Sequence, residues 1–461
     1  MKKIAVLCVF AIVAFIPTLA SAGVKNVQVG GEIDSYLQWS SNYESGEEIG
    51  TKDPSTQQVD LSGNALGATN AQTKDEAFLK TLALIYVSAD LDENVNALVS
   101  IEADRIWGNG GDCNECGLAV ELEEAKLTLE EMFGLPIKSV IGRQDITWGE
   151  GFVIGDSCPY IEDNISQAQM WKIDAFDAVS VTYDAAPWTL DLMYAKIDEQ
   201  SINQDTEELD DDLFGLNINY AGWNKQSIDG YLLLEKDANA VSAANISRNV
   251  QGLYGDPYAV GAIGLRAAGD VLPVEGLTYR AEGCYEFGTF AESEGSASKI
   301  DLSAFGGYLG AKYEFGGNPY NPFIDGMWVV MSGEETTRGG DMSQFYPFFT
   351  SETYGEIFKE YAMSNAHIIK LCGGFDPIEP MNISLAFYHY IAEEDRYISN
   401  DTAKKDDQLG NELDLTVTYN YTDDVIFGLS VAQFFPGDVF GKSTVGADGT
   451  TCVTGSCKVK F

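Results

Sequence analysis

Side chains of opposite charge stand two residues apart within some apolar segments of this sequence. Such pairs are Arg280 with Glu282 and Lys312 with Glu314. Residues two apart lie on the same face of a β-strand, so each pair would share one strand face and neutralise itself. Charged groups arranged in this way around a water-filled passage attract or repel ions at short range. The chemistry that these residues favour is electrostatic selection.

Catalytic chemistry finds little support in the sequence. The chain has only two histidines, His367 and His389, and histidine is the residue most often used in general acid–base catalysis. His389 stands between two tyrosines, but no motif for a serine nucleophile accompanies it. We predict that the protein is not an enzyme.

The charged pairs fall within segments of about ten residues that alternate apolar and polar, as transmembrane barrel strands do. In the first segment Val27, Ile33 and Leu37 share one face, and Glu32 and Asp34 share the other. There are 18 such segments, an even number as bacterial barrels require. They lie at 27–39, 79–89, 95–104, 118–130, 137–146, 176–184, 187–196, 212–221, 225–235, 258–267, 277–288, 302–315, 321–332, 366–375, 381–391, 410–421, 424–434 and 453–461.

The gaps between these segments are alternately long and short. Residues 147–175, 333–365 and 392–409 form long gaps, whereas 222–224 and 422–423 form short ones. Short periplasmic turns and long extracellular loops put both termini in the periplasm. We therefore predict an all-β fold, an 18-stranded antiparallel transmembrane β-barrel. Its last strand must pair with the first, because an open edge in hydrocarbon would leave backbone groups unpaired.

The two ends of the chain agree with this topology. Residues 1–22 combine two lysines, an apolar run and small residues up to Ala22, which predicts a secretory signal peptide. No later stretch is apolar enough for a transmembrane helix, and no linker divides the chain. Residues 23–461 are thus predicted to form a single barrel domain. The terminal aromatic Phe461 resembles the assembly signal of outer-membrane barrels, which makes the barrel-assembly machinery a predicted partner.

Charge and cysteine content exclude some partners and leave others open. The formal net charge is −43, so the protein repels nucleic acid. The acidic residues concentrate in loops such as 207–212. These carboxylates either solvate the outer surface or bind divalent cations loosely between themselves and lipopolysaccharide phosphates. No loop shows the ligand spacing of a dedicated metal site, and we predict no cofactor.

Two pairs of cysteines are disulfide candidates, because an exported protein folds in an oxidising compartment. They are Cys113 with Cys116, in one predicted outer loop, and Cys452 with Cys457, at the last strand. Cys116 is followed by glycine rather than histidine, so haem attachment is not supported. Metal binding by the first pair remains a weaker alternative.

Four stretches, in order along the chain, resemble the alginate-export family of outer-membrane porins. They are 122–156, which contains Gly142-Arg143-Gln144-Asp145 and Trp148-Gly149-Glu150-Gly151; the aromatic-rich 341–355; 409–414; and 433–438. The resemblance implies an 18-stranded monomeric barrel that exports or passes an anionic polysaccharide.

Alternation also predicts which charged residues face the lumen. The candidates for pore lining and selectivity are Glu124, Lys126, Arg143, Asp145, Arg266, Arg280, Glu282, Lys312 and Asp414. Arg143, within the family-like motif, is the strongest single candidate, and Arg266 and Arg280 on neighbouring strands would continue a basic ladder. Each arginine is alternatively paired and merely lines the wall. Inward carboxylates, which also include Glu286 and Glu412, outnumber inward cations. Such a balance would not concentrate a polyanion.

These observations predict an outer-membrane porin of a Gram-negative bacterium, which passes hydrophilic solutes or exports a polysaccharide through an aqueous lumen. One alternative is a barrel that acts as a sheath or conduit around a partner protein. Another is a general diffusion porin with cation preference. We expect a monomer in contact with outer-membrane lipid and lipopolysaccharide. The loop at 147–175 either folds inward as a constriction or caps the outer mouth.

Overall fold

A closed sheet of 18 strands forms the described part of the molecule. The structure, a computed structural model, describes residues 24–43, 74–107, 119–155, 175–199, 210–237, 257–291, 299–334, 341–358, 364–398, 401–440 and 449–461. The strands are β1 (Lys25–Tyr43), β2 (Lys74–Asp92), β3 (Val95–Ile106), β4 (Ala119–Leu129), β5 (Ile137–Gln144), β6 (Phe176–Ala185), β7 (Trp188–Glu199), β8 (Asp210–Tyr220), β9 (Gln226–Asp237), β10 (Pro257–Asp270), β11 (Leu277–Ala291), β12 (Lys299–Glu314), β13 (Phe323–Met331), β14 (Ala366–Ile378), β15 (Met381–Ile398), β16 (Asp401–Asn420), β17 (Val425–Pro436) and β18 (Thr450–Lys460). Among the described residues, no helix is both long enough and apolar enough to cross a membrane.

Each strand pairs with the next in antiparallel fashion, and β18 pairs with β1 to close the barrel. The closing register runs from Glu32 opposite Lys460 to Ser41 opposite Thr451. Phe461 and Gly31 then exchange two backbone hydrogen bonds of 2.9 and 3.0 Å. Closure removes the edge that hydrocarbon could not satisfy. The all-β fold, the strand number and the antiparallel order predicted from alternation are confirmed.

The two faces of the wall differ in chemistry, as strand alternation requires. Outward leucines such as Leu265, Leu309 and Leu371 are more than half exposed on the barrel surface. Their neighbours Arg266 and Tyr308 point inward, and both are largely shielded from solvent. The outward surface is thus the apolar band that faces lipid in a transmembrane barrel.

One predicted loop is largely strand. The sequence at 392–409 is polar on both faces and was expected to form a long connection, but β15 and β16 extend through most of it. Arg396 lies opposite Asp406 and Tyr397 opposite Lys405 in this extension. A hairpin that continues beyond the apolar band can be polar on both faces, because water covers both. That is why alternation misses it.

Candidate functional site

Two long connections fold back into the lumen and meet there. The first is 145–155, which follows β5, and the second is 341–358, which links β13 to β14; we call them the short and the long inward loop. Trp148 of the short loop lies 6.4 Å from the inward Tyr231, measured between ring centroids. In the long loop, the Tyr346 N–H donates to the inward carboxylate of Glu286 at 2.8 Å. The described part of the predicted loop 147–175 therefore folds inward rather than over the outer mouth. Residues 156–174 lie outside the described residues.

The two loops bind each other through backbone hydrogen bonds. Phe349 donates its N–H to the Val153 carbonyl at 3.0 Å, and Gly155 donates to the Phe349 carbonyl at 2.8 Å. Ser351 donates to Gly151 at 2.9 Å. Gly151 has φ +78°, and a Cβ there would collide with the Ser351 hydroxyl, so glycine is required at this contact. The loops thus form a single inward body.

Aromatic side chains fill the space between this body and the wall. Phe345, Tyr346, Phe348 and Phe349 are almost completely buried. Phe345 stacks on Phe152 of the short loop at 5.6 Å between ring centroids. Buried aromatic rings remove a large apolar area from water and dominate local packing energy. The aromatic run in the sequence therefore belongs to a small core inside the barrel.

Buried carboxylates on the wall anchor the long loop. Glu412 of β16 is fully buried. It accepts hydrogen bonds from three consecutive backbone N–H groups, those of Glu356 (2.6 Å), Ile357 (2.6 Å) and Phe358 (2.9 Å). Tyr390 donates its hydroxyl to the same carboxylate at 3.2 Å. Glu286, also fully buried, binds the loop at Tyr346. Charge-assisted hydrogen bonds of this kind are the stronger ones in proteins.

An ionic cluster lies where the tip of the short loop meets β10–β14. Arg280 binds Asp325 through two bonds of 2.9 and 3.0 Å and lies 3.3 Å from the Glu150 carboxylate of the loop. Lys370 lies 4.0 Å from Asp325. Arg266 pairs with Asp229 at 3.1 Å.

The tip is held close to this cluster by its backbone shape. Gly149 has φ +64°, and a Cβ at this position would lie 2.6 Å from the Arg266 side chain. Glu282, beside Arg266 in the sheet register, accepts from the Tyr231 hydroxyl at 2.7 Å and from the Tyr308 hydroxyl at 3.1 Å. The loop tip and the wall therefore share a network of opposite charges.

The opposite side of the lumen is lined by polar groups. Lys458 of β18 lies 2.9 Å from Glu32 and 3.8 Å from Asp34 of β1. Lys126 and Glu124 form an ion pair on β4. The Lys458 side chain is 34% exposed, so water reaches this part of the wall. Gln38 and Ser40, further along β1, are buried.

The predicted lining residues do not form a single group. Arg266, Arg280 and Glu282 meet in the ionic cluster, and Lys312 adjoins it opposite Asp325 while it pairs with Glu314 at 2.6 Å. Glu124 and Lys126 lie on the polar side. Asp414 lies under the long loop and accepts from the Glu356 N–H at 3.2 Å, and Asp145 is exposed where the short loop begins. Arg266 and Arg280 of the predicted basic ladder are therefore paired with carboxylates, which is the alternative that the sequence left open.

The prediction that Arg143 faces the lumen is wrong, because its side chain lies on the outward face of the wall. It shares that face with Ile141 and stands opposite Asp177, which is itself on the exposed face of β6. Its Nε donates to the carbonyls of Leu122 and Glu123 at 2.7 and 3.1 Å. Strand β5 places serine and isoleucine on one face and valine and glycine on the other, so its sequence does not reveal which face is apolar.

Alternation did not reveal the roles of several residues at this site. Glu150 stood only within a family-like motif, and Glu286 and Glu412 counted only as inward charges. Their partners lie in loops separated from them by tens of residues, and alternation carries no information about such contacts. The inward apolar residues of β6–β14 could have indicated that a loop covers these strands, since a wall that faces a water-filled lumen should be polar.

The cysteines of the last strand do not form a disulfide. Neither Cys452 nor Cys457 is disulfide-bonded, and the same holds for Cys284 and Cys372. The two are five residues apart in one strand, so they point to opposite faces and their Cα atoms lie roughly 16 Å apart, beyond the reach of a disulfide. Cys113 and Cys116 lie outside the described residues. Over the described ranges, no group of three or more histidines, cysteines or carboxylates is arranged to hold a metal ion.

Comparison with known proteins identifies the family. The model of the family described as "Alginate export" matches residues 62–452, most of the chain. The chain belongs to the alginate export family. The family and the fold make this family member an outer-membrane channel of a Gram-negative bacterium, which passes hydrophilic solutes or a polysaccharide. They are characteristic of channels rather than enzymes.

Solved porin structures share the fold of this alginate export family member. OccAB1 of Acinetobacter baumannii is 10% identical with a TM-score of 0.54, over 94% of this chain and 96% of that one. OprD of Pseudomonas aeruginosa is 8% identical with a TM-score of 0.53, over 96% and 97%. OccD3 of Pseudomonas aeruginosa is 11% identical with a TM-score of 0.52, over 97% and 96%. The comparison with curated proteins finds no significant match.

Proposed function

We propose that this channel passes a narrow hydrophilic chain, an oligosaccharide or polysaccharide including an anionic one, along a single constricted path. The observation that carries the proposal is the pair of inward loops, docked against β6–β17 by aromatic packing and by the Glu286 and Glu412 carboxylates. A lumen narrowed in this way excludes bulky solutes but leaves a polar path along β18, β1 and β4. Charged pairs along such a path offer both donors and acceptors to sugar hydroxyl and carboxylate groups.

The anchoring contacts also change the electrostatic argument about cargo. Glu282, Glu286, Glu412 and Asp414 were counted as inward acidic charges, but each is buried and bonded to a tyrosine or to a backbone N–H of the long loop. Their charges are compensated by these bonds rather than presented to the passage. The acidic surplus along the path is therefore smaller than alternation indicates, and an anionic saccharide becomes compatible with the lumen.

Arg280 is the residue whose loss should alter selectivity most. It binds Asp325 and Glu150 together, so Arg280→Gln leaves two carboxylates of the ionic cluster without their cation and makes the lumen more negative. We expect the reversal potential of the purified channel in planar bilayers to shift towards cation selectivity. Arg143→Gln is the matched control, because the same substitution on the outward face should leave the reversal potential unchanged.

Saccharide passage is tested in the same bilayers. Short linear oligosaccharides, one neutral and one an oligouronate, should produce transient blockades of a single-channel current that lies well below that of an open barrel of this size. A current unaffected by either saccharide would contradict the proposal. A large, unblocked current with cation preference would instead support a general diffusion porin.

The sheath alternative receives less support, because the inward loops take up lumen volume that a partner protein would need. Conduction by the purified chain alone would count against it. We also propose that the chain acts as a monomer without catalytic activity, and that the barrel-assembly machinery recognises its last strand. The position of Phe461 supports recognition of the last strand, because this residue adds two hydrogen bonds to the pairing of β1 with β18.

A further inference from the structure

Five charged residues of alternating sign stand side by side on the outward face of neighbouring strands. They are Arg143 on β5, Asp177 on β6, Lys196 on β7, Asp212 on β8 and Lys236 on β9. Each lies directly opposite the next in the sheet register. The row lies at the end of the barrel that carries the long connections, next to the ends of all five strands. We call it the charged row.

A second row, of apolar residues, lies directly beneath the first. Its members are Ile141, Val179, Tyr194, Phe214 and Leu234, again paired strand by strand. All five are exposed on the barrel surface, at 39% to 47%. The two rows are two residues apart on every strand, which is about 7 Å along the strand. The charged row therefore stands where the hydrocarbon-facing band ends and the headgroup region begins.

The aspartates of the charged row lie close to two of its cations. Lys196 lies 3.1 Å from Asp212, which also accepts from the Tyr194 hydroxyl at 2.8 Å. Arg143 lies 3.8 Å from an exposed Asp177. Lys236 is exposed, and within the described ranges its ammonium group forms no ion pair. A lysine ammonium has three donors and an arginine five, so these cations suit a ligand with several oxygens, such as a phosphate.

We propose that the charged row binds the phosphate group of an outer-leaflet glycolipid, the lipid A portion of lipopolysaccharide, whose acyl chains lie on the apolar row. Three cations face two aspartates, which gives the row a net positive charge within a chain of net charge −43. Most of the acidic outer surface would repel anionic headgroups, so electrostatic repulsion is weakest at this patch. The apolar row beneath selects a phosphate attached to acyl chains over a free one.

The test measures lipid A bound to the purified full-length channel, in detergent, by native mass spectrometry. Bisphosphorylated lipid A should bind more tightly than its dephosphorylated form, and inorganic phosphate should not displace it. Lys196→Gln with Lys236→Gln should weaken binding of the bisphosphorylated form by about tenfold or more, since each surface lysine contributes measurably to anionic-lipid affinity. Lys225→Gln is the control, because Lys225 pairs with Asp270 at the opposite, short-turn rim.

A second variant keeps the test decisive if the lysine variant folds poorly. Asp212→Asn removes an anion from the row and should strengthen binding of the bisphosphorylated form, an effect opposite in sign to that of damage to the barrel. Equal binding of the two lipid forms would mean that only the acyl chains are recognised. That result, or unchanged affinity in both variants, would show that the row merely neutralises itself and would overturn the proposal.

Discussion

Replacement of Glu412 should release the long inward loop and widen the channel. Its carboxylate accepts three consecutive backbone N–H groups of the loop, at 2.6, 2.6 and 2.9 Å. Glutamine has one acceptor oxygen in place of two, and its NH₂ group would face backbone donors. Glu412→Gln therefore loses at least one of these bonds and places its NH₂ group against another hydrogen-bond donor, although the size of the side chain is preserved. Glu412→Ala removes all of them.

The size of the effect follows from the strength of these bonds. A hydrogen bond to a charged group contributes about 1.5–3 kcal/mol, and a donor left facing another donor adds to the loss. Glu412→Gln should therefore disfavour docking of the loop by about 2–4 kcal/mol. Since 1.4 kcal/mol is a factor of ten, the ratio of undocked to docked loop should rise by about 30- to 700-fold. Asp414→Asn should have a smaller effect, because Asp414 accepts only one longer bond from the loop, of 3.2 Å.

Single-channel recording measures this ratio directly. The variant should spend far more time in a high-conductance state than the wild type, and Glu412→Ala should do so at least as often. Glu314→Gln serves as the control, because Glu314 is an exposed carboxylate that pairs with Lys312 at the short-turn end of β12. If both Glu412 variants fold and conduct like the wild type, the carboxylate does not hold the loop in the lumen and the reasoning is wrong.

Two further predictions concern closure and pH. Gly31→Val should weaken barrel closure, since a Cβ at Gly31 would lie 2.3 Å from the Leu84 carbonyl and 2.9 Å from the Phe461 ring. The temperature at which the folded band is lost on semi-native gels should therefore fall. Gly316→Val, in an open turn, is the control and should leave that temperature unchanged. Burial, followed by repulsion from Glu150, raises the pKa of Glu352 in the long loop to about 7. Its negative charge is thus lost as the pH falls through about 7, so cation preference should decrease between about pH 8 and about pH 6. Glu352→Gln should remove that pH dependence, and if it does not, another group titrates.

Alternation predicts the wall of this barrel well because lipid and water impose opposite demands on its two faces. Where both faces meet the same medium, the signal disappears. The extended ends of β15 and β16 are polar on both faces and look like a loop, although they are paired strands. Strand β5 mixes apolar and polar residues on each face, which led to the wrong side for Arg143. The first error thus comes from a shared medium and the second from the mixed composition of a short strand.

The interior of the lumen was harder to predict, since contacts between distant loops leave no periodic trace. Alternation assigned Glu412 to the correct side but could not show that the backbone of residues 356–358 covers it. A count of inward charges therefore overstates the charge presented to a permeant whenever some of those groups bind an inward loop. Only the partner of each carboxylate distinguishes an anchor from a selectivity group.

The inward apolar residues nevertheless indicate, from the sequence alone, which strands an inward loop covers. Strand β9 carries Leu232, Leu233 and Leu234 in succession, so both of its faces are apolar; Leu233 is fully buried and Leu234 is exposed. A leucine that faced a water-filled lumen would lose the stabilisation that burial provides, and Leu213, Val329 and Ile368 repeat the pattern on other strands. Strands that are apolar on both faces therefore mark the part of the wall that an inward loop covers. On β18 and β1 the inward charges pair with each other rather than with a loop, and the proposed path follows these strands.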